Sequence, residues 1–228
     1  MQVAFTAPVN RHGDDRTLQR SALSQQLWGI DWNRHLPLDL RGFSVSLSSY
    51  EGLSPFIAKY YPTLFEEDTS AQAFGSGQSH PAKARYYRAA GDFFEFVADG
   101  ETVGVVIGTP IDWSSYYIRT AALLPQFQGR QPIQHFFSQC VFDVLREAGV
   151  ERVELDVAPS NLAMMHVVTR LRFNATGTLL TERWGAHVHF TKFLREDAER
   201  VFIAQFCSGP KYQLRNSQAM ETSPSETR

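Results

Sequence analysis

The chain has 228 residues, of which 43% are hydrophobic and 13% aromatic, so a wholly disordered protein is excluded. A formal net charge of −2 predicts no broad basic face, which argues against nucleic acid as the main partner. No apolar run approaches the roughly 20 residues of a membrane span, and the N-terminus lacks the pattern of a signal peptide. The only cysteines are Cys140 and Cys207, and Cys140 falls on an apolar helical face, so no disulfide framework is expected. We therefore expect a cytoplasmic protein.

The first 42 residues form an arm of two parts. Residues 1–20 are polar and are expected to be loose, whereas residues 21–42 carry many apolar side chains, including Trp28 and Trp32. Two tryptophans so close together predict an arm that packs on the domain or on a second copy of the chain, as in a homodimer.

Strand and helix patterns begin after the arm. Apolar and serine residues alternate from Phe43 to Ser48, which predicts a strand. Helical spacing follows from Glu51 to Leu64, and Pro62 is expected to end that helix early. Residues 66–80 are rich in Gly, Ser, Ala and Gln, which indicates a mobile loop. Three further strands are predicted over 93–98, 102–109 and 116–124, with the hairpin turn Asp99-Gly100 between the first two.

The second half alternates between strands and helices. The strongest helical period runs from Ile133 to Ala148, between Pro132 in the first turn and Gly149 at the stop. Ser160 and Asn161 are good N-caps for a second helix that ends at Leu171. The remaining elements are strands over 152–157, 176–183 and 186–193 and a charged helix over 196–206. From residue 208 the chain is polar and is expected to be disordered.

This order of elements predicts a mixed α/β (α+β) sheet flanked by helices. We divide the chain into an arm over 1–42, one domain over 43–194 and a C-terminal extension over 195–228.

Three short segments carry a family resemblance. The loop before the long helix reads Leu-Leu-Pro-Gln-Phe-Gln-Gly-Arg-Gln-Pro-Ile from Leu123 to Ile133, the second strand–helix junction reads Val-Ala-Pro-Ser-Asn from Val157 to Asn161, and the next helix ends in Arg-Leu-Arg-Phe at Phe173. In order and spacing they resemble the GNAT superfamily of N-acyltransferases, whose loop motif is Q/R-x-x-G-x-G/A.

The resemblance also has departures. Gln128 fills the first motif position, but Gln131 and Ile133 stand at its two small-residue positions. Val168 stands where the family often has a tyrosine near the thiol, and Arg172 stands where the helix ending usually has glycine.

The resemblance implies a single GNAT-like sheet over 43–194, with antiparallel N-terminal strands and a central parallel pair, 116–124 and 152–157, that splays to admit the donor. The donor is expected to be acetyl-CoA or another acyl-CoA, the acceptor a small-molecule or peptide amine, and no metal is implied. The positions that correspond to donor-binding residues are Leu123, Gln128, Gly129, Arg130, Gln131, Ile133 and Asn161.

The loop has a physical reason to bind phosphate. A helix N-terminus offers unpaired N–H groups and a positive dipole end, and small residues allow close approach. Pro132 brings no N–H, a loss that Arg130 is expected to offset with a charge-assisted contact to the phosphate. The alternative is a plain helix start with a surface arginine.

Acyl transfer to an alkylamine, whose pKa is near 10.4, requires removal of a proton. Many GNAT enzymes use a glutamate on the fourth strand; Tyr117 stands at or next to that position, as a candidate proton relay or acid, and a backbone N–H near Leu123 is the candidate oxyanion donor. Asn161 is the second catalytic candidate, because the resemblance implies that it orients the pantetheine, a role compatible with that of a helix N-cap. The alternative for Tyr117 is a half-buried strand tyrosine.

The remaining candidates are weaker. Asp112 and Trp113, in the turn before the fourth strand, are candidates for a cationic acceptor, with a turn-forming Asp as the alternative. His166 is a candidate base or an exposed helical histidine. His187 and His189 share a strand face, but no third metal ligand of matching spacing accompanies them.

Two other functions stay open. A carrier-protein donor lacks the adenosine diphosphate end, which fits the bulky Gln131 and Ile133. A non-catalytic binding module of the same fold fits Val168 and the missing fourth-strand carboxylate.

Overall fold

Eight strands form one sheet in the order β1-β2-β3-β4-β5-β6-β8-β7 in the computed structural model, which describes residues 27–64, 81–181 and 185–207. All neighbouring strands are antiparallel except β5 and β6, which are parallel. The strands are β1 (Leu38–Leu40), β2 (Phe43–Ser48), β3 (Asp92–Ala98), β4 (Glu101–Pro110), β5 (Ser115–Leu123), β6 (Arg152–Val157), β7 (Asn174–Thr181) and β8 (Gly185–Phe193). The predicted mixed sheet is confirmed.

Besides a 3-10 turn at Trp32–Arg34, six α-helices accompany the sheet in the described ranges. They are α1 (Tyr50–Leu64), α2 (Pro81–Ala90), the single turn α3 (Pro125–Gln128), α4, α5 (Leu162–Arg170) and α6 (Glu196–Phe206). Helix α4 runs without a break through Pro132–Phe136, a π-helical turn at Phe137–Val141, and Phe142–Glu147. None of these helices is long and apolar enough to cross a membrane.

Several local signals act as the sequence predicts. Asp99 and Gly100 both have positive φ, 52° and 80°, as a two-residue turn between β3 and β4 requires. Gly149 has a φ of 77° just after α4, where a left-handed residue closes a helix. The Asn161 side chain accepts a hydrogen bond of 3.0 Å from the N–H of Met164 and so caps α5.

The two faces of the sheet are covered by different helices. The Phe94 ring lies 5.1 Å from that of Phe136 on α4, while Phe93, on the opposite face, lies 6.0 Å from Tyr50 on α1. Register pairing puts Tyr116 on the α4 face and Tyr117 on the α1 face. The split matters for function because the polar side chains of β5 and β6 lie on the α1 face.

The described part of the arm belongs to the core. The indole of Trp32 is fully buried, with its ring centroid 4.8 Å from that of Phe94 and 5.8 Å from that of Tyr116. Ile30 is buried too, and Trp28 is partly buried against the core. The domain limits assigned from the sequence stay predictions.

Three expectations differ from the structure. Pro62 does not end α1, which continues to Leu64, because Leu64 still packs against the core and this packing outweighs the local cost of proline. Strand β1 and helix α2 are not predicted from the sequence, because β1 is too short to show a period and α2 has little apolar signal. The segments 1–20, 66–80 and 208–228 lie outside the described residues, so the expectations for them stay predictions.

Candidate active site

The parallel strands β5 and β6 part soon after they meet. They pair only over Ser115–Tyr117 and Arg152–Glu154, although β5 continues to Leu123 and β6 to Val157. Just beyond the last pair, β5 carries an extra residue, Arg119, against β4, and such a bulge bends a strand. A gap therefore opens toward the C-terminal ends of both strands, as the splayed pair predicts.

The backbone of β5 offers hydrogen-bonding groups to this gap. The N–H of Leu124 donates to the Val103 carbonyl on β4 at 2.9 Å, so by strand alternation the N–H and C=O of Leu123 point to the side of β6. The Leu123 carbonyl accepts a bond of 3.1 Å from the side-chain amide of Gln128. Leu123 thus presents a free edge of the strand, and Gln128 covers its carbonyl.

The start of α4 lies beyond the open end of the gap. Gln131, its N-cap residue, adopts the left-handed conformation with φ 61° and ψ 30°, and its side chain makes no capping bond. Pro132 has no N–H, and the N–H groups of Ile133 and Gln134 have no acceptor within the helix. The bulk of Ile133 does not obstruct them, because its side chain is buried in the core.

Gly129 and Arg130 form the outer surface of the loop. Gly129 has helical angles, φ −65° and ψ −15°, and a Cβ there would meet nothing within 4 Å. The guanidinium of exposed Arg130 lies 5.4 Å from the ring centroid of Phe127. The N–H groups of Arg130 and Gln131 make long turn bonds of 3.3 and 3.4 Å to Phe127 and Gln128. A phosphate would compete with weak bonds there.

A line of ionisable side chains crosses β5, β6 and β8 where the gap begins. The Tyr117 hydroxyl donates to Asp156 Oδ2 at 2.7 Å, and Asp156 Oδ1 lies 2.7 Å from Nδ1 of His189, its register partner on β8. His189 Nε2 lies 3.7 Å from Glu154 Oε2. Glu154 accepts a bond of 2.6 Å from Arg152 Nε, and Arg152 Nη2 reaches Asp112 Oδ2 at 3.4 Å. Tyr117 and Asp112 therefore belong to one network.

Burial and Asp156 together fix the protonation of Tyr117. Burial first, and then the hydrogen bond and charge of Asp156, raise the pKa of Tyr117 well above its usual 10, with Arg119 opposing the shift. The phenol therefore stays protonated and directs its proton to Asp156, so it is neither a base nor a strong acid near neutral pH.

Comparison with known proteins decides the family. The model of the acetyltransferase (GNAT) family matches residues 59–173, half of the chain. The chain belongs to the GNAT family of acetyltransferases.

Solved structures agree on the fold of this GNAT protein. The ribosomal-protein-S5-alanine acetyltransferase of Vibrio fischeri is 14% identical with a TM-score of 0.52, covering 70% of this chain and 97% of its own. A spermidine N-acetyltransferase chimera from Vibrio cholerae is 15% identical with a TM-score of 0.50, covering 66% and 95%. A probable acetyltransferase from Staphylococcus epidermidis is 10% identical with a TM-score of 0.50, covering 66% and 98%. No curated protein sequence matches the chain significantly.

Two departures from the GNAT motifs have a common explanation. Gln131 and Arg172 both stand where GNAT sequences favour a small residue or glycine, and both have positive φ, 61° and 58°. At both positions the backbone adopts the left-handed conformation that glycine reaches freely, although neither residue is glycine.

Among the other candidates, Asp112 meets the network at its far end, through Arg152. Asp112 forms a turn with the N–H of Ser114 at 2.8 Å, and Trp113 beside it is 92% exposed. Asn161 follows the open end of β6, and His166 is exposed on α5. His187, two residues before His189, is partly buried on β8, and its Nδ1 lies 3.3 Å from the Gly185 carbonyl oxygen. No group of three or more metal-ligand residues occurs within the described ranges.

Sequence reasoning missed Asp156 and Glu154. Their signal was the alternation of β6, which puts both on the face opposite buried Val153, Leu155 and Val157. What the sequence does not give is the register that sets Asp156 beside His189, across 33 residues of chain.

Proposed function

We propose that this GNAT enzyme transfers an acetyl or other short acyl group from CoA to an amine, with the donor lying in the gap between β5 and β6. The parting of these strands after three pairs carries the proposal, because it leaves a strand edge that the pantetheine amides of the donor can join. The start of α4 lies at the open end, where phosphates favour a helix N-terminus.

The donor residues follow from this placement. The N–H groups of Ile133 and Gln134, with Gly129 and Arg130, hold the phosphates, and Leu123 pairs with the pantetheine arm. When the donor binds, Gln128 gives up its hydrogen bond to the Leu123 carbonyl, and the carbonyl becomes available to the pantetheine arm. Asn161, at the end of the other strand, orients the arm from the far side of the gap.

The thioester lies near Tyr117, where the gap closes. Leu123 is six residues from Tyr117, which is about 20 Å at roughly 3.3 Å per residue. The thioester carbonyl carbon cannot lie close to both Tyr117 and Leu123. We therefore assign Leu123 to the donor arm, and we assign the stabilisation of the oxyanion to a backbone N–H closer to Tyr117. The acceptor enters from the α1 face, where Asp112, Glu154 and Asp156 favour a cationic amine.

Calorimetric titration of the loop variants tests the donor site. Arg130→Ala is expected to weaken acetyl-CoA binding by about 1.5–3 kcal/mol, roughly ten- to a hundredfold, if it makes a charged hydrogen bond to phosphate. Gly129→Leu is expected to weaken it at least as much without loss of stability, because its Cβ projects into open space. Arg170→Ala, at an exposed position at the end of α5, is the control.

Acetyl-pantetheine, which shares the arm but lacks the adenosine diphosphate, is the second titrant. Both loop variants are expected to bind it as the wild-type chain does. Thiol release from acetyl-CoA with a panel of primary amines then tests transfer. Wild-type affinity for acetyl-CoA in both variants would contradict the phosphate assignment.

A carrier-protein donor remains the second candidate. The turn bonds of the Arg130 and Gln131 N–H groups favour it, since they leave fewer free donors for phosphate than an open loop. Equal affinity for acetyl-CoA and acetyl-pantetheine, together with transfer from an acylated carrier protein, would decide for this donor.

A further inference from the structure

We propose that His189, oriented by Asp156, is the base that takes the proton from the acceptor amine. The inference rests on the proposed acyl transfer and names the residue that performs its proton step. None of the family-motif segments contains His189, and β5, the strand of Tyr117, has no Asp or Glu for the role.

The contact with Asp156 determines which ring nitrogen is available. An ionised carboxylate only accepts hydrogen bonds, so at 2.7 Å from Asp156 Oδ1 the Nδ1 atom carries the proton. Nε2 is then the unprotonated nitrogen and can accept a proton. The side chain of His189 is 31% exposed, against 16% for that of Asp156. An acceptor can therefore approach the imidazole ring, while Asp156 is more shielded from solvent.

A second carboxylate lies beside the His189 ring. Glu154 Oε2 lies 3.7 Å from Nε2, too far for a hydrogen bond but close enough to stabilise an imidazolium. The other charged or titratable groups recorded around the pair are Arg152 beside Glu154, Tyr117 and Arg119 on β5, and His187 further along β8. The positive charge of Arg152 opposes an imidazolium on His189, but Glu154 lies between Arg152 and the His189 ring.

Tyr117 connects this pair to the gap. Its hydroxyl spans from β5 to Asp156 on β6 at the last paired position of the two strands, which is where the thioester lies in the proposed arrangement. With one oxygen of Asp156 held by Tyr117 and the other by His189, the carboxylate cannot rotate away. Tyr117 is therefore a positioning residue in this scheme.

The chemical step balances without a further reactant. The nitrogen lone pair attacks the thioester carbonyl carbon, the N–C bond forms and the C–S bond breaks. Before the attack, one proton of the acceptor ammonium passes to His189 Nε2, which frees the nitrogen lone pair. As the C–S bond breaks, the second nitrogen proton leaves to solvent and the leaving thiolate takes up a proton from solvent. His189 returns its proton to water before the next cycle.

The test compares two histidines of one strand. His189→Asn is expected to lower kcat by about 10²–10⁴, the usual contribution of a general base, and Asp156→Asn by at least about tenfold. Acetyl-CoA affinity measured by calorimetry is expected to change less than twofold in both. His187→Asn, at the histidine two residues earlier on the same strand, is the control and is expected to keep wild-type kcat.

Two acceptor amines distinguish a catalytic base at position 189 from a residue with a purely structural role. An alkylamine such as N-acetyl-lysine amide is protonated near neutral pH, whereas a weakly basic aromatic amine is already neutral, so the His189→Asn defect is expected to be larger for the alkylamine. The defect is also expected to shrink as pH rises and free amine accumulates. Slow hydrolysis of acetyl-CoA, in which water replaces the amine, provides a readout without any acceptor.

The outcomes are distinct. Equal kcat for His189→Asn and wild type, or the same defect for both amines at every pH, would overturn the assignment and leave the acyl transfer standing. A wild-type chain that binds acetyl-CoA but neither hydrolyses nor transfers its acyl group would overturn it as well. A wild-type chain that binds no acetyl-CoA would instead refute the proposed donor.

Discussion

Replacement of Gln131 by glycine should make the protein more stable. A left-handed conformation costs a residue with a side chain about 1–2 kcal/mol, and glycine avoids that cost but loses about 0.5–1 kcal/mol more in backbone entropy on folding. The Gln131 side chain is exposed and makes no capping bond, so nothing else is lost. The net expectation is a gain of about 0.5–1 kcal/mol in the free energy of unfolding.

Urea unfolding followed by circular dichroism measures this gain. Gln134→Gly, the same chemical change three residues further along, is the matched control, and it is expected to destabilise α4 by about 1 kcal/mol because position 134 lies inside the helix. The glycine variant is also expected to bind acetyl-CoA more tightly, since less bulk stands beside the N–H groups of the loop. A Gln131→Gly protein less stable than wild type would refute the argument from backbone conformation.

Three further predictions concern the core, the network and the thiols. Trp32→Ala is expected to cost about 3–5 kcal/mol in urea unfolding, and Trp32→Phe less, because the buried indole N–H has no hydrogen-bond acceptor among the described residues; equal costs would contradict the packing argument. Tyr117→Phe is expected to lower kcat about tenfold in steady-state kinetics and to change acetyl-CoA affinity less than twofold; an unchanged kcat would leave Tyr117 a packing residue. Burial raises the pKa of the Cys140 thiol to about 12, so a disulfide reagent at pH 8 should modify half-buried Cys207 quickly and Cys140 only on unfolding; two fast thiols would show that the core opens readily.

The sequence predicts those parts of the fold that rest on local signals. Apolar periods locate the long helix α4 and most of the strands, and Asp99-Gly100 and Gly149 mark their turns because their backbone angles demand such residues. Strand β1 escapes prediction because three residues carry no period. Its existence depends on pairing with β2.

The same distinction between local signals and strand pairing applies to the candidate site. The proposed donor loop can be recognised from contiguous residues, since the proposed phosphate site is a local structure at the start of one helix. The network is not recognisable, because Tyr117, Asp156 and His189 come from three strands and meet only through the register of the sheet. His189 pairs with Asp156 on β6, whereas the pairing of β6 with β8 stops at Val188, before His187, and no local pattern specifies this register.

The gap between β5 and β6 has a consequence for the protein between catalytic cycles. Parted strands expose the same unpaired N–H and C=O groups as the outer strand of a sheet, and such edges recruit strands from other molecules. Gln128 shields one carbonyl on that edge, Leu123, with its own amide. A bound CoA would cover the remaining N–H and C=O groups of that edge. The donor would then protect the folded protein from pairing with other strands, in addition to supplying the acyl group.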